Sequence, residues 1–237
     1  MPDNLDLQQV LVLDIETVPQ YSSFEEVPED FQKLWEQKTR YHRRDGETAA
    51  EYYPKAGIWA EFGKIICISV GVFTLQQNMP GLRVKSFAGD DECALIADFT
   101  SLLNKQPSSL TLCAHNGKEF DFPYLCRRTL INNLCIPQQL QMHGKKPWEV
   151  NHIDTMDLWK FGDHKNFTTL NLLAAVFGIP TPKDDISGSD VFNVYYQERD
   201  LERIKTYCQK DVITTAQLLL RFKGMPVMPD ERITIVN

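Results

Sequence analysis

The apolar run of "QQVLVLDIETVPQ" (8–20) gives way to acids at Asp14 and Glu16, and because side chains alternate faces along a strand, Val10, Val12, Asp14 and Glu16 fall on one side and Leu11, Leu13 and Ile15 on the other. A buried strand is predicted, ending in two carboxylates that point the same way. Two further strands, "KIICISVGVF" (64–73) and "LRVKSFA" (82–88), are expected to pair through "NMPG", a Pro-Gly turn, which makes an antiparallel meander. Between the first two strands, residues 18 to about 62 are charged and aromatic, with Phe31, Leu34, Trp35 and Lys38 at helical spacing. That stretch reads as a helical insertion. Beyond the meander the period alternates. "DDECALIADFTSLLN" (90–104) is a helix whose apolar face is Ala94, Leu95, Phe99, Leu102 and Leu103, and "QPSS" breaks it. "SLTLCAHN" (109–116) is a strand, and "FDFPYLCRRTLINN" (120–133) a helix with Pro123 in its first turn, which implies parallel crossover topology. "HID" (152–154) is a short strand, and "FTTLNLLAAVFG" (167–178) a helix stopped by Gly178 and Pro180. "RDLERIKTYCQKDVITTAQLLLRF" (199–222) is the longest helix, and the tail "MPVMPDERITIVN" has a strand-like end. The sum is one α/β domain.

Composition narrows the classes. The apolar content of 43% supports a core, no apolar run is long enough to cross a bilayer, and "MPDNLDLQQV" lacks the features of a signal peptide, so a cytoplasmic protein without a membrane partner is expected. Six cysteines (67, 93, 113, 126, 135, 208) include no CxxC pair and read as buried reduced thiols, not as zinc ligands or a disulfide framework. A net charge of −7 argues against nonspecific coating of nucleic acid, but not against an enzyme that holds phosphate through bound metal.

The candidate chemistry is acidic. Like charges side by side, as at Asp14 and Glu16, are costly unless a cation lies between them; a strand running into a solvated loop is the other meaning. Asp121, with Asn116, follows the strand 109–116, where α/β sheets bind ligands, and would also serve as the cap of the next helix. In the last helix Tyr207 and Asp211 are four apart and share a face. Asp211 lies beside the apolar stripe of Ile204, Cys208, Val212, Thr215 and Leu219, a costly place for an acid unless it is paired with a base or binds metal. The runs "KTRYHRR" (38–44) and "HGKK" (143–146) fit either strand contacts or solvated surface, while Asp154 and Asp157 read as a strand end and a helix cap and His115 as structural.

"LDIET", "HNGKEFD" and "YCQKD" resemble the three motifs of the DEDD superfamily of 3′ to 5′ exonucleases, with Tyr207 marking its tyrosine-bearing branch. The spacing from Asn116 to Asp121 looks most like the proofreading domain of family B DNA polymerases. Over nearly all of residues 8–222 the chain, including "FGKIICISVGVF", "KPWEVNHIDTMDLWKFGD" and "PKDDISGSDV", is similar to predicted polymerase-B-like exonucleases that lack an attached polymerase. The resemblance implies a ribonuclease H-like fold, with an antiparallel three-strand meander followed by parallel strands and helices on both faces, in a single exonuclease domain over 1–237. It implies two Mg²⁺ or Mn²⁺ ions held by Asp14, Glu16, Asp121 and Asp211, with Asp14 shared between them, and Tyr207 orienting the attacking water. Glu16, Thr17, Asn116 and Phe120 would meet the substrate, single-stranded DNA. Hard oxygen donors without a Cys or His cluster suit those ions better than Zn²⁺. Two other classes remain for comparison: a noncatalytic nucleic-acid-binding module of the same fold, and a haloacid-dehalogenase-type phosphatase. The phosphatase reading is disfavoured, because Glu16 stands where that motif has a second Asp and the Gly-Asp in "FAGDDE" (87–92) comes too early.

Overall fold

In the computed structural model, residues 5–76, 79–163, 165, 167–180 and 186–236 are described. The strands are β1 (Val10–Pro19), β2 (Gly63–Gln76), β3 (Met79–Ala88), β4 (Thr111–Ala114), β5 (Ile153–Asp154) and β6 (Ile233–Val236). They form one mixed sheet in the order β5-β4-β1-β2-β3-β6. β1, β2 and β3 are the antiparallel meander; β4 runs parallel to β1, β5 to β4, and β6 to β3.

The helices are α1 (Glu29–Thr39), α2 (Ala49–Tyr52), α3 (Glu92–Asn104), α4 (Asp121–Ile131), α5 (Thr155–Lys160), α6 (Leu170–Val176), α7 (Val191–Asn193) and α8 (Leu201–Phe222). The alternation of β1 decides which helices it meets. Leu11, Leu13 and Ile15 pack with Leu95, Ile96, Phe99 and Leu103 of α3 and with Phe122 and Leu125 of α4. Val10 and Val12 pack on the other face, against Val212, Ala216 and Leu219 of α8. Helices therefore cover both faces of the sheet.

Between β1 and β2, Trp35 is fully buried and donates its indole N–H to the Ala49 carbonyl. Tyr52, Tyr53, Trp59 and Phe62 pack around it, whereas Phe31 and Leu34, which share its helical spacing, stay about half exposed. Gly57 is a point of close approach, because a Cβ there would lie 3.0 Å from the backbone of Val18. Tyr124 of α4 donates its hydroxyl to the Gly57 carbonyl at 2.7 Å, so this segment is fastened to α4.

Some expectations need correction. Pro80 and Gly81 are not a turn: they pair with Leu75 and Thr74 inside β3, and the connection at 77–78 lies outside the described residues. A residue at the start of a strand need not donate to the ladder, so proline is tolerated there. On α3 the buried face takes Ile96, and Ala94 is exposed, because the helix turns its stripe toward β2 and α4. Cys93 and Cys135 are exposed rather than buried; all six cysteines are free thiols. The expected helix over 167–178 is α6, begun by the Thr169 side-chain cap and ended before Gly178, whose φ is +62°. Of the similar segment "PKDDISGSDV", residues 182–185 lie outside the described residues. No described helix is long and apolar enough to cross a membrane.

Candidate active site

The tip of β1 carries the acids onto the α8 face of the sheet. Asp14 pairs with Ser69 and Glu16 with Cys67, and the register with β2 then shifts between Glu16 and Thr17. Such a bulge bends a strand and re-aims the side chains beside it. Facing them, α8 presents Tyr207 and Cys208 on one turn and Asp211 on the next, its first turn capped by the Asp200 side chain. The Cys208 thiol donates to the Asp14 carbonyl at 3.4 Å. Glu16 is 7% exposed. Asp14 reaches solvent in part, but its Oδ2 is buried and has no hydrogen-bond partner.

Asp121 arrives from the opposite side. It is the first residue of α4 rather than its cap, a place taken by Phe120 without a side-chain bond, and it is 3% exposed. Its carboxyl lies close enough to the Ile15 backbone of β1 and to Asp211 of α8 to feel both, which sets it beside the acids of β1. The reading of Asp121 as the cap of this helix therefore does not hold.

The electrostatics tie the three segments together. Burial raises the Asp14 carboxyl well above its usual range, and Glu16, Asp121 and Asp211 raise it further. Glu16 is raised by burial first and then by Asp211, Cys67 and Asp121. Asp121 is pushed up to about 7 by burial, with Asp154 and Asp211 adding and the backbone donors opposing. Burial lifts the Tyr207 hydroxyl as well, followed by Asp211, Glu16 and Asp14, and it is hydrogen-bonded to Asp211. An orphaned buried carboxylate oxygen amid three further acids fits a divalent cation, and hard oxygen donors suit Mg²⁺ or Mn²⁺.

A pH dependence follows. Folded-state values above those of the unfolded chain mean that the folded protein binds more protons, so the stabilisation is complete below the unfolded values and is lost as pH rises through the folded ones. Thermal melts of chelator-treated protein are therefore expected to fall between about pH 4 and pH 7, the window from the ordinary 3.8 to the value of about 7 for Asp121. Mn²⁺ should restore much of the loss at the upper end. A melting temperature flat across that window would contradict the burial of these acids.

The loop before α4 is held by Asp154, expected only as a strand end; Asp157, expected as the cap of α5, instead lies within that helix. Asp154 caps α5, accepting from Met156 N–H at 2.9 Å. It also accepts the N–H of Asn116 at 2.9 Å and of Lys118 at 3.1 Å, which fixes Asn116 at φ +65°. Gly117 is needed beside it, since a Cβ there would lie 2.4 Å from that of Ala114. His115 is structural, bonded to the Thr155 hydroxyl and the Thr168 carbonyl. The signal for Asp154 was its position: an acid ending a strand adjacent to β4 is poised to collect loop amides. Asp154→Ala is expected to destabilise the fold by about 1–2 kcal/mol as a lost cap and, by displacing the Asp121 loop, to slow any reaction at the site by about 10²-fold. Urea melts and turnover measured together would reveal a loss confined to stability, which would deny Asp154 a positioning role.

An open cleft of about 760 Å³ adjoins the acids, and Glu16, Thr17 and Phe120 line it with Ile15, Pro19, Ile58 and Phe192. Three of the four expected substrate contacts thus meet at one place, while Asn116 stands at the loop beyond it. Ile58, Phe192 and Asn193 are lining residues that sequence reasoning missed. They come from segments remote from the motifs, and the Tyr196 hydroxyl, bonded to the Pro19 carbonyl, draws α7 toward β1. Among the basic runs, Arg43 is bonded to the Glu36 and Glu47 carbonyls. Lys145 and Lys146 are exposed on a loop.

The sequence profile of a family described as predicted 3′-5′ exonucleases related to the exonuclease domain of PolB matches residues 58–232. Asp121, Tyr207 and Asp211 fall inside the match; Asp14 and Glu16 precede it. The chain also superposes on a family B DNA polymerase from the hyperthermophilic archaeon Pyrobaculum calidifontis, with a TM-score of 0.53 and 17% identity over 90% of this chain and 24% of the polymerase. The chain thus spans about a quarter of that polymerase, and at this identity the likeness is one of fold, in keeping with the ribonuclease H-like arrangement expected.

Proposed function

Because the chain belongs to the family of predicted 3′-5′ exonucleases related to the exonuclease domain of PolB, we propose that it is a divalent-metal-dependent 3′ to 5′ exonuclease acting on single-stranded DNA. The observation that carries this reading is the buried, unpartnered Oδ2 of Asp14 among carboxylates that raise one another. Asp14, Glu16, Asp121 and Asp211 are the residues to hold Mg²⁺ or Mn²⁺. A pair of such ions held by these four acids would supply a polarised water for attack and positive charge beside the leaving 3′ oxygen.

The chain's own groups do the rest. Tyr207 keeps its proton at neutral pH, since burial and Asp211 hold its hydroxyl far above the ordinary value of 10.0. It therefore orients the attacking water instead of removing its proton. The walls of the cleft, from Thr17, Phe120, Ile58 and Phe192, offer apolar faces for the terminal nucleoside, as stacking recognises any base. With a net charge of −7, affinity rests on the site and not on a basic track, so binding has a shallow salt dependence. Residues 1–237 act as one domain, with the 18–62 insertion supplying the Ile58 wall.

Purified protein incubated with 5′-labelled single-stranded DNA, mismatched duplex and RNA, each with Mg²⁺ or Mn²⁺, tests the reading. A ladder shortened from the 3′ end of the single strand is expected, and intact label under every condition would overturn it. Tyr207→Phe is expected to lower kcat by about 10²-fold through misplacement of the water, with KM little changed. Unaltered kcat would remove its role.

A further inference from the structure

The floor of the acidic centre holds sulfur as well as oxygen. Strand pairing sets Cys67 of β2 opposite Glu16, so both side chains leave the sheet on one face. From α8, the Cys208 thiol lies 3.4 Å from the Asp14 carbonyl oxygen and against the Asp14 carboxylate and the Cys67 thiol. Its Sγ and one carboxylate oxygen from each of Asp14 and Glu16 lie within 4.8 Å of one another, close enough to gather on one small ion after modest side-chain adjustment. Two of these donors are already withdrawn from water: Glu16 is 7% exposed, and Asp14 Oδ2 is buried without a partner. Mg²⁺ and Mn²⁺ need only the oxygens, so the reaction leaves the sulfur unused. A thiolate is a soft donor that favours Zn²⁺ and its heavier congener Cd²⁺.

We propose that Cys208 gives this centre a second, inhibitory mode: Zn²⁺ or Cd²⁺ binds through Cys208 Sγ, Asp14 and Glu16, releases the thiol proton to solvent and excludes the hard ions. The inference rests on the reading of these acids as a metal centre. It makes the enzyme one that micromolar soft ions silence while its hard ions remain in excess.

Co²⁺, a spectroscopic substitute for Zn²⁺, reports the sulfur directly. Chelator-treated full-length protein is titrated with Co²⁺, followed by the near-ultraviolet thiolate-to-cobalt charge-transfer band, and in parallel with Mn²⁺, followed by paramagnetic resonance. The wild type is expected to bind Mn²⁺ and to develop the band. Cys208→Ser and Cys208→Ala should bind Mn²⁺, which also certifies their fold, without the band, and Cys67→Ser should keep it. Displacement of Mn²⁺ by Zn²⁺ should need on the order of tenfold more Zn²⁺ in Cys208→Ser than in the wild type. A wild type that binds Mn²⁺ but shows no band, or a band that survives loss of Cys208, overturns the inference alone. Failure of Mn²⁺ to bind the wild type overturns the metal centre and this mode with it.

Discussion

Asp14→Asn is expected to cut Mn²⁺-dependent degradation of 5′-labelled single-stranded DNA by about 10³-fold or more, the equivalent of about 4 kcal/mol of lost transition-state stabilisation. Asparagine keeps the shape of the side chain and removes only its charge. Asp14 is the acid most surrounded by the others, feeling Glu16, Asp121 and Asp211 at once, so its charge is the one that a bound cation would share most widely. The same change relieves like-charge repulsion in the ion-free protein. Chelated Asp14→Asn is therefore expected to melt above the chelated wild type at neutral pH, and added Mn²⁺ should raise it less. Loss of activity together with a gain in ion-free stability is a pairing that simple misfolding does not produce. Asp14→Asn with wild-type degradation rates would dismiss the metal reading.

Legibility in the sequence followed the range over which the information acts. The alternation from Val10 to Glu16 is local, and it correctly placed both carboxylates on one face, opposite Leu11, Leu13 and Ile15. The spacing from Tyr207 to Asp211 is equally local, and the stripe of Ile204, Cys208, Val212, Thr215 and Leu219 is buried as read. Pro80-Gly81 misled because its turn chemistry competes with a ladder that continues through it, and that ladder is a tertiary fact. The pairing of β6 with β3 was out of reach for the same reason: "ITIV" announces a strand but not its partner. Asp121 carried two meanings until the structure put it inside α4, and the Ile58 and Phe192 walls of the cleft depend on how the 18–62 segment and α7 fold back on β1.

Arg128→Met is expected to destabilise the protein by about 3–5 kcal/mol, the cost of leaving a buried carboxylate unpaired. Arg128 and Glu92 are both nearly inaccessible, with side chains 4% and 8% exposed. The guanidinium grips both Glu92 oxygens in a bidentate pair, with Nε to Oε1 at 2.9 Å, and donates to the Ala60 carbonyl at 2.9 Å. Glu92 in turn accepts the Ile65 N–H at 2.7 Å and the Asn132 amide at 2.8 Å. One ion pair thus joins α3, α4, β2 and the end of the segment that carries Ile58, and α4 is the helix that begins with Asp121. Glu92→Gln retains an acceptor for Ile65 and Arg128 and places no negative charge in the core, although it leaves the guanidinium charge uncompensated. It should therefore cost less than Arg128→Met wherever water or the Ala60 carbonyl can still serve Arg128. Urea midpoints give the order directly. Arg128→Met within about 1 kcal/mol of the wild type would mean that the pair behaves as a surface bridge. Because the damage reaches α4, residual folded Arg128→Met should also bind Mn²⁺ more weakly than the wild type, linking a stability network remote from the cleft to the placement of its third acid.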